Sequence, residues 1–283
     1  MPPAALALLL MCFSALIIPV GDAFAKEIQR ATSMGPAPVI LARFLLGAAL
    51  FLPISFLLGQ APLLTPRFLA AQGLRGLCVT GGITGMVNAV GHAPLADVFG
   101  AFFIAPAAAT FLAWALLRER ITTRDLVSLG LGLVGVLLVT RPSAEMNVGL
   151  LWALFGGVCY GAFNAATRWS APLGRPLGQL AGQLVVGGLL AAPFGLAEIR
   201  HAGEAPWLLI GSGFFSALAN LFLVMAYARE RAAALAPLIY LQLPSAALIG
   251  WAAFGDLPDA WGAAGLVLIV FAGLGLRLLA LRR

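Results

Sequence analysis

Ten long runs without a charged side chain divide this chain: 1 to 21, 44 to 66, 76 to 96, 98 to 117, 126 to 140, 146 to 167, 176 to 197, 205 to 228, 232 to 255 and 260 to 276. Most hold about 20 residues, ~30 Å of α-helix, which matches the hydrocarbon core of a bilayer. The short fifth run must borrow from its flanks. The runs are continuously apolar rather than alternating, which argues against a membrane β-barrel. With 61% hydrophobic and 10% charged residues, against roughly 25% charged in soluble domains, the expected fold is an all-α integral membrane protein. It has ten transmembrane helices.

A net charge of +6 and a pI of about 10.0 are consistent with nucleic-acid binding, but no extramembrane part is large enough to bind it. Orientation explains the charge instead. With a cytoplasmic amino terminus, the inner loops and tail carry Arg67, Arg75, Arg118, Arg120, Arg124, Arg168, Arg175, Arg229, Arg231, Arg277, Arg282 and Arg283. The outer loops carry Lys26, Arg30, Arg141 and Arg200. Basic residues accumulate on the cytoplasmic side, so both termini are expected inside a bacterial-type inner membrane. Cys12, Cys78 and Cys159 fall inside the runs, so neither a disulfide framework nor a metal site is expected. Ala23-Phe-Ala25 mimics a leader cleavage site, yet the first run is long, lacks a basic start and has an internal counterpart, so it is expected to be a retained span.

That counterpart belongs to a repeat. Thr80, Thr84 and Asn88 recur at i, i+4 and i+8, one narrow stripe on a helix. At an offset of 132, Ser212, Ser216 and Asn220 repeat the order hydroxyl, hydroxyl, amide, with Gly81 matched by Gly213. At 140, Gly21, Gly47, Leu50 and Pro53 fall on Gly161, Gly187, Leu190 and Pro193; at 138, Phe102 meets Tyr240 and Pro106 meets Pro244. Two repeats, 1–141 and 146–283, of five spans each place the second copy upside down, a common build of secondary transporters with the substrate site between the halves. Polar stripes in hydrocarbon must face protein or a water-filled path. Hydroxyls bonding their own helix, and amides joining helices, are the alternative reading.

His92-Ala-Pro-Leu-Ala-Asp-Val-Phe-Gly-Ala-Phe-Phe-Ile-Ala-Pro106, running on to Leu117-Arg-Glu119, resembles the end of a first EamA-type domain of the drug/metabolite transporter superfamily. Ala236-Pro-Leu-Ile-Tyr240-Leu-Gln and Gly250-Trp-Ala-Ala-Phe-Gly-Asp256 are similar to the end of the second, with Asp256 where Glu is usual. The resemblance implies ten helices as two inverted repeats around a central cavity, and export of amino acids, aromatic or other apolar ones included, or of similar small metabolites.

Candidate substrate contacts are Thr84, Asn88, Ser216 and Asn220 on the stripes, with Tyr160, Asn164, Phe99, Phe102, Tyr240 and Gln242. Neutral amides and hydroxyls suit a zwitterion, and aromatic faces suit an apolar or cationic group. Arg43 is read as the one basic side chain well inside a span, paired first with Asp97 and second with Asp22. With Pro106 and Pro244, which free a carbonyl and bend a helix, these are the gating or coupling candidates. No phosphate loop, zinc-protease motif or paired acid at membrane depth is present, so no enzyme and no cofactor is expected. The expected partners are a zwitterionic small molecule, the lipid bilayer and a second copy in a homodimer, with no nucleic acid. Uptake, carriage of a larger metabolite such as a nucleoside or cofactor derivative, and a scaffold or receptor without transport are the competing readings.

Overall fold

A computed structural model describes residues 3–90, 92, 95–141, 147–196, 203–254 and 259–275. Among the described residues, twelve α-helices form ten consecutive spans: α1 Pro3–Ala31, α2 Pro36–Leu57, α3 Pro66–Val90, α4 Leu95–Phe102 with α5 Ala105–Leu117, α6 Thr123–Thr140, α7 Val148–Ser170, α8 Pro176–Gly195, α9 Pro206–Tyr227, α10 Ala232–Leu235 with α11 Gln242–Phe254, and α12 Ala260–Val270. Among the described residues there is no strand. Eight of the spans are long and apolar enough to cross a membrane. The third is long but carries Arg75 and the polar stripe, and the tenth is shorter, Ala260–Leu274.

Proline sets several of the starts. Helices α2, α8 and α9 begin at Pro36, Pro176 and Pro206, where the missing N–H would find no intrahelical acceptor anyway and the fixed φ already suits a helix. At Pro66 the preceding Thr65 hydroxyl also accepts from the Phe68 N–H at 3.3 Å, a cap that starts α3 ten residues earlier than the uncharged run does. Arg75 therefore lies within α3 instead of in a cytoplasmic loop. The expectation that Arg43 is the one basic side chain well inside a span is corrected by it.

The most extensive contacts between spans recur when span n is exchanged for span n+5. Helix α1 lies on α9 and α3 on α7; α5 lies on α7 and α1 on α11; α2 meets α9 and α3 meets α8; the pairs α2 with α8 and α6 with α12 map onto themselves. Small residues make the crossings close. A Cβ on Gly85 would sit 2.5 Å from the Gly156 Cα, and one on Gly156 would lie 2.9 Å from the Gly82 carbonyl oxygen, so α3 and α7 touch backbone to backbone, the means by which membrane helices associate without a hydrophobic drive.

Candidate functional site

The fourth and ninth spans are broken at equivalent places. Pro106 lies in the first turn of α5 and Pro244 in that of α11. A proline has no N–H for the carbonyl four residues back, which frees Phe102 and Tyr240, and the regular helix lapses there. Residues Phe103 and Ile104 form a turn, and Ala236–Leu241 a 3-10 segment. Both prolines thus begin helices after a break; they do not bend continuous ones. In membrane carriers, interrupted spans at corresponding positions in the two halves of a chain are a common place for substrate to bind.

These breaks carry rings that form a continuous ladder. Phe99 meets Phe103 at 6.3 Å between centroids, Phe103 meets Phe102 at 6.3 Å and Tyr240 at 5.9 Å, Phe102 meets Tyr160 at 5.8 Å, and Tyr160 meets Phe163 at 5.9 Å. Four sequence candidates, Phe99, Phe102, Tyr160 and Tyr240, are joined in this way through Phe103, and Phe163 extends the ladder from Tyr160; the sequence reading singled out neither Phe103 nor Phe163. Helix α7 approaches the fourth span closely because it is glycine there: a Cβ on Gly161 would lie 2.6 Å from the Ala105 carbonyl oxygen. The Tyr240 ring fills the notch left by Gly132 on α6. Gln242 faces the Tyr160 hydroxyl.

One turn beyond Tyr160, Asn164 is 0% exposed, and neither its amide nitrogen nor its amide oxygen has a partner. The hydroxyls of Tyr227, Tyr240, Thr80 and Ser14 are likewise buried and unpartnered. Each such group costs about 1–3 kcal/mol, and buried polar groups are otherwise nearly always bonded, to protein, water or ligand. An amide with both ends unbonded, next to an aromatic ladder, is suited to hydrogen-bonding a bound polar molecule.

The ladder ends on a charge. Arg75 is 0% exposed, and its guanidinium carbon stands 5.6 Å from the Phe163 ring centre. It donates through Nε to Thr167 Oγ1 at 3.1 Å, through Nη1 to Gln72 Oε1 at 2.8 Å and to Gln179 Oε1 at 3.1 Å, and through Nη2 to Gln183 Oε1. Every acceptor is neutral. Gln183 in turn donates to Asn220 Oδ1 at 3.4 Å, which ties the α9 stripe to the cage. The Thr65-Pro66 start signal and the amides Gln72, Gln179 and Gln183 inside apolar helices were the traces of this cluster in the sequence.

The two stripes have different surroundings. Asn88 donates to the Thr84 carbonyl at 2.8 Å and Asn220 to the Ser216 carbonyl at 3.0 Å, so each amide bonds back to its own helix. Among the described residues no hydrogen bond joins Asn88 to Asn220. Ser212 is fully buried, while Thr84 is exposed on the face that carries Leu77, 61% exposed, two turns earlier. Ser216 lies over Gly21 of α1.

Arg43 lies seven residues into α2 and is held by three acceptors. It donates through Nε to Ser212 Oγ at 2.7 Å, through Nη1 to Asp22 Oδ1 at 2.9 Å and through Nη2 to the Gly21 carbonyl at 2.6 Å. Asp22, the second-ranked acid, is thus the partner. The Asp97 side chain lies outside the described ones. At the opposite end, Glu119 accepts from Arg168 Nε at 3.0 Å and from the Ala233 N–H at 3.4 Å, and Arg231 pairs with Asp125 at 3.5 Å. These contacts tie the α5–α6 connection to α7 and α10. Asp256 lies outside the described residues.

Residues 5–141 match the EamA-like transporter family. A riboflavin transporter of Brucella anthropi is 26% identical over 84% of this chain and 87% of its own. A pseudopaline exporter of Pseudomonas aeruginosa is 28% identical over 95% of this chain and 94% of its own. A solved crystal structure superposes with a TM-score of 0.80 over 96% of this chain and 97% of that one, at 19% identity, a likeness of fold. The matched family and these relatives are membrane transporters.

Proposed function

Residues 5–141 of this chain are an EamA-like transporter domain, and from that premise we propose that the whole chain is a secondary transporter for a small metabolite bearing a planar ring. It works as two tandem repeats, 1–141 and 146–283, the second inverted, that rock about the broken spans to give alternating access. It catalyses no reaction. The membrane of this reading is the inner one, and the excess of arginines in alternate loops supports both termini being cytoplasmic.

The observation that carries the substrate class is the ladder from Phe99 to Phe163 with the unpartnered Asn164 beside it. Aromatic faces stack on a planar ring, and an amide with both ends free bonds its polar edge. Similarity to a riboflavin transporter supports a ring of that size. Export of an aromatic amino acid is the second reading, and similarity to an exporter over nearly the whole chain supports that direction.

The test is counterflow in proteoliposomes loaded with unlabelled riboflavin or tryptophan. Exchange of labelled riboflavin supports the first reading and exchange of tryptophan the second, and in either case Phe102→Ala lowers the rate. A protein that exchanges neither, nor any other ring compound, is not the carrier proposed.

A further inference from the structure

We infer that Arg75 is an anion-recognition centre, so that the transported metabolite carries a carboxylate beside its ring. The inference rests on the carrier reading above and extends it to the charge of the substrate. A buried guanidinium inside a membrane protein is costly, and where it occurs it is usually paired with an opposite charge or marks a substrate or ion path. Here the partners are three glutamines and a threonine. The acids whose side chains are described, Asp22, Glu27, Glu119, Asp125, Glu204, Glu230 and Asp259, stand toward the helix ends or beyond them. None of the bonds made by Arg75 is to one of them. If the group served only to join α3, α7 and α8, a neutral side chain of similar size would do so at lower cost. A positive charge retained without a counter-charge among the described side chains has a use when a negative one arrives.

The geometry says where the anion would bind. Arg75 has five N–H donors. Nε is bonded to Thr167, Nη1 spans Gln72 and Gln179, and Nη2 bonds Gln183, which leaves the second N–H of Nη2. Gln183 is the movable member of the cage, since its other amide atom is held only by the 3.4 Å bond to Asn220. A carboxylate oxygen that takes the place of Gln183 Oε1 accepts a charge-assisted bond from Nη2, stronger than the neutral one it replaces. No hydrogen bond is lost from Arg75, and a neutral acceptor is exchanged for a charged one. The ring attached to that carboxylate then lies along Phe163 and Tyr160, where Asn164 reaches its edge.

The experiment is equilibrium binding by titration calorimetry to the purified full chain, corrected against empty micelles, with indole-3-propionate and its neutral isostere indole-3-propionamide as probes. The wild type is expected to bind the carboxylate at least tenfold more tightly. Arg75→Gln removes that preference. Because Arg75→Gln could also fail to fold, Gln183→Glu is the second variant: it is isosteric and supplies a resident counter-charge, so the protein stays folded while the tenfold preference falls to parity. Equal binding of the two probes by the wild type, or a preference that survives Gln183→Glu, overturns the anion site while leaving the carrier reading in place. Binding of neither probe overturns the anion site as well, while the carrier reading is decided separately by the counterflow test.

Discussion

Arg43 and Ser212, 169 positions apart in the chain, are joined by a 2.7 Å hydrogen bond from Nε to Oγ, and both side chains also donate to the Gly21 carbonyl. Three spans, α1, α2 and α9, meet at that carbonyl. Ser212 is fully buried, whereas the Asp22 side chain is 59% exposed. An exposed ion pair contributes about 0–1 kcal/mol, and loss of a buried acceptor from a charged donor costs about 1.5–3 kcal/mol. Ser212→Ala is therefore expected to lower the detergent melting temperature more than Asp22→Asn does. The reverse order in paired thermal scans would show that the carboxylate, and not the hydroxyl, anchors Arg43.

Asn164 gives a prediction that separates a site from a strut. Its amide bonds nothing within the protein, so Asn164→Leu relieves an unpaired polar group and is expected to leave the melting temperature unchanged or raised. If the amide binds substrate, the same change weakens apparent affinity by about 1–3 kcal/mol, roughly five- to a hundredfold. A variant that melts earlier with unchanged affinity would take Asn164 out of the site.

The crossing of α3 with α7 sets a steric limit. At Gly85 an added methyl meets the Gly156 backbone at 2.5 and 2.6 Å, while at Gly73 it meets nothing within 4 Å. Backbone cannot step aside as a side chain can, and overpacking costs typically about 1–3 kcal/mol. Gly85→Ala should thus yield less folded protein by size-exclusion chromatography, with Gly73→Ala as the unaffected control. Equal yields would mean that the helices separate without penalty.

Outside the spans, Arg141 bonds both carboxylate oxygens of Asp259 at 2.5 Å, and the Gly262 N–H donates to the same group. The Arg141 hydrogen bond first, and the Gly262 N–H second, hold the Asp259 carboxyl below its usual range. A carboxylate with a lowered folded pKa stabilises above its unfolded value, about 3.9, and loses that contribution as pH falls through the folded value. The melting-temperature gap between wild type and Asp259→Asn should accordingly be widest near neutrality and close as the pH falls below about 4. A gap that stays constant down to pH 2 would mean that the pair does not couple folding to protonation.

Much of this architecture was legible in the chain because it rests on local physics. Uncharged runs of bilayer length must become helices, since hydrocarbon offers no other partner for the backbone. Pro36, Pro66, Pro176 and Pro206 mark starts because a first-turn proline loses no hydrogen bond; Pro106 and Pro244 marked freed carbonyls, though they read as bends and the structure makes them breaks. The stripe spacing placed hydroxyls and amides on one face of a helix, but not what that face meets: Thr84 is exposed where its counterpart Ser216 is half-buried, and both asparagines bond their own helices. Contacts across the chain were decided only by tertiary structure. Reading a charge as the end of a span placed Arg75 in a loop, because its acceptors Gln179 and Gln183 lie 104 and 108 residues away and become visible only when α8 lies beside α3. The same holds for the choice of Asp22 by Arg43 and for the isolation of Asn164. Helical period and proline chemistry act within a few residues, whereas the partner of a buried polar group depends on which distant helix packs against it.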